Sequence, residues 1–175
     1  MLFLINSIDF FDVALFFDDL SSHLSFQFLK SLTLYNDAKS ILPNNPELPI
    51  LKREIDTKKK NYDIVLYTNS GDRNYASENW ESALDAYDKA LKLDPTNSNL
   101  QRKFNRTSIV KKTYDDLNKY LRNVDRLSSP NIRRNFETVI GDANNFDLKD
   151  EKKLIGLISQ ANETFKKYGE MVVLN

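Results

Sequence analysis

The chain has 175 residues, which is enough for one domain with its own core or for a short stack of helical repeats. Apolar residues make up 41% and charged residues 29%, a balance typical of a folded protein and not of a disordered one. Lys plus Arg (25) equals Asp plus Glu (25), so no net charge attracts the chain to nucleic acid or to an anionic membrane. There is no cysteine, which excludes disulfides, thiolate catalysis and cysteine-bound metals.

The amino-terminal residues are apolar, but they do not have the pattern of a signal peptide. A signal peptide has basic residues at its start and then an unbroken apolar stretch. Here no Lys or Arg precedes Lys30, and Asp9, Asp12 and Asp18 interrupt the apolar residues. We therefore predict an amphipathic helix over residues 8–21, with no signal peptide and no membrane span. The compartment stays open: the cytoplasm, or the periplasm if the start is truncated.

Two further helices are predicted before residue 76. Phe28, Leu32 and Tyr35 recur at spacings of three and four, which predicts a helix over about residues 24–42 with one buried face. Prolines between residues 43 and 49 end this helix. The next helix covers about residues 47–75 and contains Gly71, because a lone glycine is tolerated where two helices pass closely.

The second half of the chain predicts four more helices. One covers residues 80–93 and is ended by Asp94-Pro95, and a longer one covers residues 98–124. Another begins at Ser128-Ser129-Pro130, since serine caps a helix and proline suits its first position. The last one covers about residues 149–168.

The residues after the last helix predict a change of structure. Gly169 can end that helix in a left-handed backbone conformation. The apolar residues 171–174 that follow predict a short strand. This strand is interpreted either as the start of a truncated further domain or as a tail that packs on the helices.

Two segments repeat one spacing of small, aromatic and proline residues. Small residues let a neighbouring helix approach closely, and an aromatic ring fills the space beside them. Proline then ends the helix, so that the next one can fold back. The corresponding residues, aligned without gaps, are Ser31, Tyr35, Ala38 and Pro43 in the first segment and Ala83, Tyr87, Ala90 and Pro95 in the second.

This spacing resembles the second helix of a tetratricopeptide repeat. The later copy is closer, because Trp80 precedes Ala83 by three positions and Gly71 falls at a small-residue position of the preceding helix. The resemblance covers residues 67–95 well and residues 24–43 in part. Equivalent positions lie 52 residues apart (83 minus 31), not the 34 of the regular repeat, and no third copy follows Asn97.

The resemblance implies an all-α fold, built as an irregular stack of antiparallel helix hairpins. It places one helical-repeat domain over residues 1–170, with the repeat pair at about residues 47–96. Residues 171–175 are left as a tail or as the start of a further domain. We expect Trp80, Ala83, Tyr87 and Ala90 in the core.

Motifs of catalysis are missing from the sequence. His23, the only histidine, lies near a helix start, where a surface or capping role suits it better than that of a catalytic base. The four glycines are scattered singly, so the sequence contains no phosphate-binding loop. Acidic pairs such as Asp18-Asp19 and Asp115-Asp116 lack the spacing of a calcium loop. We therefore expect no enzyme activity, no metal and no cofactor.

Proteins of the tetratricopeptide type resemble one another in holding a peptide or a partner helix on a concave surface lined by the first helix of each pair. Asn and Arg side chains there can pair with the backbone and the carboxylates of an extended peptide. For Tyr67 the alternative is packing against Trp80 and Tyr87. The implied function is a non-catalytic scaffold or adaptor that binds a protein or peptide. The partner-binding candidates are Tyr62, Tyr67, Asn69 and Arg73.

A second candidate surface is basic. Residues 101–126 carry eight positive and three negative charges and include aromatic residues such as Phe104. Such a face could contact an acidic protein partner or, less favourably, a nucleic-acid backbone. The alternative is a solvated outer face whose aromatic residues point to the core. The basic-face residues are Arg102, Lys103, Arg106, Lys111 and Lys112.

A looser resemblance supports a different class of function. The pattern around residues 126–130 and the apolar residues 171–174 resemble bacterial cell-envelope proteins in which helix pairs precede a small β domain. This implies a structural helical segment of a larger protein, whose function lies in a missing carboxy-terminal β domain. The sequence leaves the oligomeric state open.

Overall fold

The computed structural model describes residues 17–145 and 151–173. These residues form six α-helices and no strand, which confirms the all-α fold class. Contacts group the chain into two units, residues 1–61 and residues 62–175, and the single domain over residues 1–170 stays a prediction. The helices are α1 (Phe17–Ile41), α2 (Leu48–Ala76), α3 (Trp80–Leu93), α4 (Ser98–Leu121), α5 (Pro130–Asn144) and α6 (Lys152–Val173), with a 3-10 turn at Val124–Ser128 before α5.

The first unit contains α1 and the amino-terminal part of α2. The helix α1 continues through residues 21–24, where the sequence predicts a boundary between two helices, so that boundary is wrong. The segment contains no proline or glycine, and its serines lower helix propensity only slightly, so nothing there ends the helix. Residues 8–16 of the first predicted helix lie outside the described residues.

Burial within the described part of the first unit is sparse. Tyr35 of α1 and Leu48 of α2 are buried. Large apolar side chains of α1, among them Phe26, Leu34 and Ile41, are exposed instead. The helix α1 therefore carries apolar residues on more than its buried side.

The α2–α3 hairpin opens the second unit. All four residues predicted for its core are buried, which confirms that prediction. Ala83, Tyr87 and Ala90 form one cluster with Leu100 of α4. Tyr67 of α2 is partly buried and packs against this same cluster.

Gly71 of α2 lies directly beside the Tyr87 ring of α3. A Cβ atom at this position would lie 2.5 Å from Cδ1 and 2.9 Å from Cζ of Tyr87, too close for a real side chain. The Tyr87 ring therefore packs directly on the α2 backbone. The prediction that Gly71 marks a close approach of two helices is confirmed.

Trp80 belongs to a second cluster, which joins α3 to the last three helices. Its ring meets Tyr114 of α4 edge-on, with ring centroids 5.0 Å apart. The centre of this cluster is formed by fully buried side chains, one on each of the following helices: Leu117 of α4, Phe136 of α5 and Leu154 of α6. The carboxy-terminal half of the chain is thus a helical bundle built onto the hairpin.

The end of α6 corrects one prediction. The strand expected at residues 171–174 is wrong for residues 171–173, because α6 continues through Gly169 to Val173. Residue 174 lies outside the described residues. A glycine costs only about 1 kcal/mol inside a helix, and the apolar positions 165, 168 and 172 keep the helical spacing of three and four.

Candidate protein-binding surface

Two sides of α2 pack within the second unit. Gly71 and Tyr67 lie on the side that faces the Tyr87 cluster of α3. Asp72 and Tyr75, one turn apart, bond to side chains of α4. The helix is therefore held by apolar contact on one side and by polar contact on the next.

Asp72 joins three helices. Its carboxylate accepts a hydrogen bond from the Tyr87 hydroxyl at 2.7 Å and from the Lys103 ammonium at 2.6 and 2.7 Å. Burial of the Tyr87 phenol, and then its bond to Asp72, raises the pKa of Tyr87 above its usual value. The hydroxyl therefore stays protonated, keeps donating, and fixes the ring above Gly71.

Glu151, the residue before α6, lies at the centre of a second polar network. Its carboxylate is only 2% exposed and accepts hydrogen bonds from the Tyr75 hydroxyl and from Nη2 of Arg106, the latter at 2.8 Å. Nε of Arg106 also donates to the Tyr75 oxygen at 3.0 Å. Burial, and then the bond to Glu151, raises the pKa of Tyr75 to about 12. Because a buried carboxylate needs such donors, the network fixes the start of α6 against α2 and α4.

The predicted basic face is largely paired with carboxylates of the same chain. Three of its side chains reach residues outside α4 and so hold α4 in place. An acidic partner would have to compete with these carboxylates. The ion pairs are Lys103 with Asp72, Arg106 with Glu151, Lys111 with Glu81 and Asp115, and Lys112 with Asp116.

Arg102 differs from the other four basic-face residues. Its guanidinium donates to the Asn99 side-chain oxygen at 2.8 Å, a neutral partner. It lines a shallow depression of about 550 Å³ along the outer side of α4. The lining residues are Ser98, Gln101, Arg102, Asn105, Arg106 and Ile109.

The third side of α2 carries three of the four predicted partner-binding residues. Tyr62, Asn69 and Arg73 follow each other at spacings of seven and four, so they project from one side of the helix, roughly opposite Gly71. Arg73 is exposed, and Tyr62 and Asn69 are partly buried. The structure thus brings these three onto one surface and places Tyr67 on the packed side. We call Tyr62, Asn69 and Arg73 the outward face of α2.

Sequence reasoning missed Asp72, Tyr75 and Glu151. A signal was present for the first two, because Asp72 and Lys103, like Tyr75 and Arg106, are 31 residues apart. This offset is close to 34 residues, the period at which the first helices of successive tetratricopeptide repeats lie side by side. Glu151 lies 45 residues from Arg106, and no periodicity indicates that contact.

The tetratricopeptide-repeat family matches residues 65–97, a range that contains Gly71, the α2–α3 turn and all of α3. The chain carries a tetratricopeptide-like repeat. Repeats of this family are in general protein-interaction modules and typically not catalytic. No curated protein sequence and no solved structure matches the chain.

The described residues also bear on membrane spanning and on metal binding. Within residues 17–145 and 151–173, no helix has the length and apolar character needed to cross a bilayer. The same residues contain no group of three or more acidic or histidine side chains that could hold a metal ion.

Proposed function

We propose that the chain is a non-catalytic protein-interaction scaffold, which binds a segment of a partner protein on the outward face of α2. The observation that carries this proposal is which residues lie on each side of α2, the first helix of the repeat. Gly71 and Asp72 lie on the sides of α2 that pack on α3 and α4, and Tyr62, Asn69 and Arg73 project from the opposite side of the helix.

The side chains of this face suit an extended peptide with an acidic residue. The Arg73 guanidinium can pair with a carboxylate through two parallel hydrogen bonds. The Asn69 amide can both donate to and accept from a peptide backbone. Val65, which is 54% exposed, adds an apolar contact beside Tyr62.

The basic face of α4 is the weaker candidate for the same function. Lys103, Arg106 and Lys111 already bind carboxylates of other helices or of the residue before α6. A nucleic-acid interface there predicts affinity that falls steeply with salt and retention on heparin at low salt. Elution of the chain without retention would remove that alternative.

Charge reversal tests the outward face directly. Partners are first recovered by affinity purification with the full chain as bait, and their affinities are then measured for Arg73→Glu and for the control Lys92→Glu. Lys92 lies on α3 of the same repeat, is 72% exposed and pairs with Asp88 one turn away. Both variants replace a positive charge with a negative one, so they change the net charge equally.

We expect Arg73→Glu to weaken binding by about tenfold or more, because a like charge then faces the partner's carboxylate. Lys92→Glu should change the affinity less than about twofold, since an exposed charge away from the contact contributes little. Circular dichroism should show the same helicity for all three chains. Unchanged affinity of Arg73→Glu for every recovered partner would contradict the proposal.

A further inference from the structure

One side of α1 combines exposed apolar residues with one charge of each sign. Phe26, Leu34 and Ile41 are 61%, 51% and 68% exposed, and Lys30 and Asp37 are exposed between them. At the 3.6 residues per turn of a helix, these five residues fall within an arc of about 80°. We call them the α1 stripe. Along the stripe the apolar residues lie about two helical turns apart, with one charged residue between each pair.

The order of residues along the stripe is self-complementary. Residues 26 and 41 are equally far from the midpoint between residues 33 and 34, and so are residues 30 and 37. A two-fold axis at this midpoint pairs two α1 helices in antiparallel orientation. It sets Phe26 opposite Ile41 of the partner subunit and Lys30 opposite Asp37 of the partner subunit, each contact occurring twice.

From this arrangement we propose that the α1 stripe binds a second copy of this chain, with the two α1 helices antiparallel. The charges decide the orientation. A parallel pair would bring Lys30 close to the same residue of the second copy and Asp37 close to its own counterpart, and like charges across an interface are unfavourable.

The charges also favour a second copy over a different protein. Among the described residues, neither Lys30 nor Asp37 has an ion-pair partner. Within one helix they are seven residues apart, or about 10.5 Å along the axis, which is too far for a direct pair. A partner surface that is only acidic would pair with Lys30 alone, and one that is only basic would pair with Asp37 alone. An antiparallel second copy supplies a partner for both charges.

A charge swap in the full chain tests this contact. Self-association is measured by sedimentation velocity from about 1 µM to about 1 mM, the range in which modest interfaces dissociate. Lys30→Asp and Asp37→Lys should each weaken association by about tenfold or more, because each sets two like-charged pairs opposite one another. The double variant Lys30→Asp/Asp37→Lys should restore the affinity to within about threefold, since the pairs re-form with their signs exchanged.

An apolar variant with a matched control tests the same surface independently. Leu34→Asp lies next to the two-fold axis and should weaken association by about a hundredfold or more, because both copies change at once. Ile50→Asp should leave it unchanged, although Ile50 is equally exposed at 57% and belongs to the same unit. Circular dichroism should show unaltered helicity, since both positions face solvent.

Three results would overturn the proposal. The first is a chain that stays monomeric at every concentration, which would assign the stripe to a different protein or to residues 1–16 of the same chain. The second is association that Leu34→Asp does not weaken, which would place the contact elsewhere. The third is a charge-swapped double variant that self-associates no more tightly than either single variant. The outward face of α2 is not involved, so these results are independent of partner binding there.

Discussion

The two copies of the small-aromatic-small-proline spacing lie in different surroundings. In the later copy Tyr87 is 2% exposed and both small residues beside it are fully buried. In the earlier copy the small residues Ser31 and Ala38 are only partly buried. The later copy meets a helix whose Gly71 leaves room for the ring. The spacing therefore specifies a helix with an inward aromatic residue, whereas complete burial also requires a matching gap on a neighbouring helix.

The largest expected difference between the two copies concerns the aromatic residue itself. Tyr87→Ala should lower the free energy of unfolding by about 3–5 kcal/mol, because it removes a buried ring and leaves a cavity against the α2 backbone. Tyr35→Ala should cost less than about 2 kcal/mol, since its surroundings are less completely packed. Urea unfolding followed by far-ultraviolet circular dichroism, which reports on the helices of both units, measures both. Equal costs would show that the two copies are packed alike.

A second expected difference separates buried from exposed ion pairs in the second unit. Glu151→Ala should cost about 2–3 kcal/mol, less than a fully buried pair, because its partner Arg106 is 44% exposed. Glu151→Gln keeps an acceptor for both donors and should cost about 1 kcal/mol. The control Asp116→Ala removes an exposed pair with Lys112 within α4 and should cost less than about 0.5 kcal/mol. A Glu151→Ala cost as small as that of the control would contradict the structural role of Glu151.

Local sequence signals predicted the hairpin well. The bounds of α3 agree with the structure because Asp94-Pro95 ends the helix at a defined point. The core positions of α3 agree because the spacing of small and aromatic residues leaves one buried side. These features depend on residues within one or two turns of each other, so a single sequence is sufficient to find them.

Long-range polar contacts could not be predicted in the same way. The basic residues of α4 suggested an exposed interface, yet Lys103 and Arg106 bind carboxylates 31 and 45 residues away. A helix pattern shows which side a residue is on, but it does not show which helix covers that side. The continuation of α6 through Gly169 was missed for a related reason, because one glycine changes helix stability by only about 1 kcal/mol.

Direct contact between the Tyr87 ring and the α2 backbone at Gly71 closes the repeat. The most direct measurement compares the free energies of unfolding of Gly71→Ala and Gly141→Ala. Gly141 lies in α5 with no atom within 4 Å of an added Cβ, so alanine there should stabilise the chain by up to about 1 kcal/mol. Gly71→Ala should instead destabilise it by at least about 1 kcal/mol, because the methyl group collides with the ring. Equal stabilisation by both variants would contradict this contact, because it would mean that α2 and α3 do not touch at Gly71.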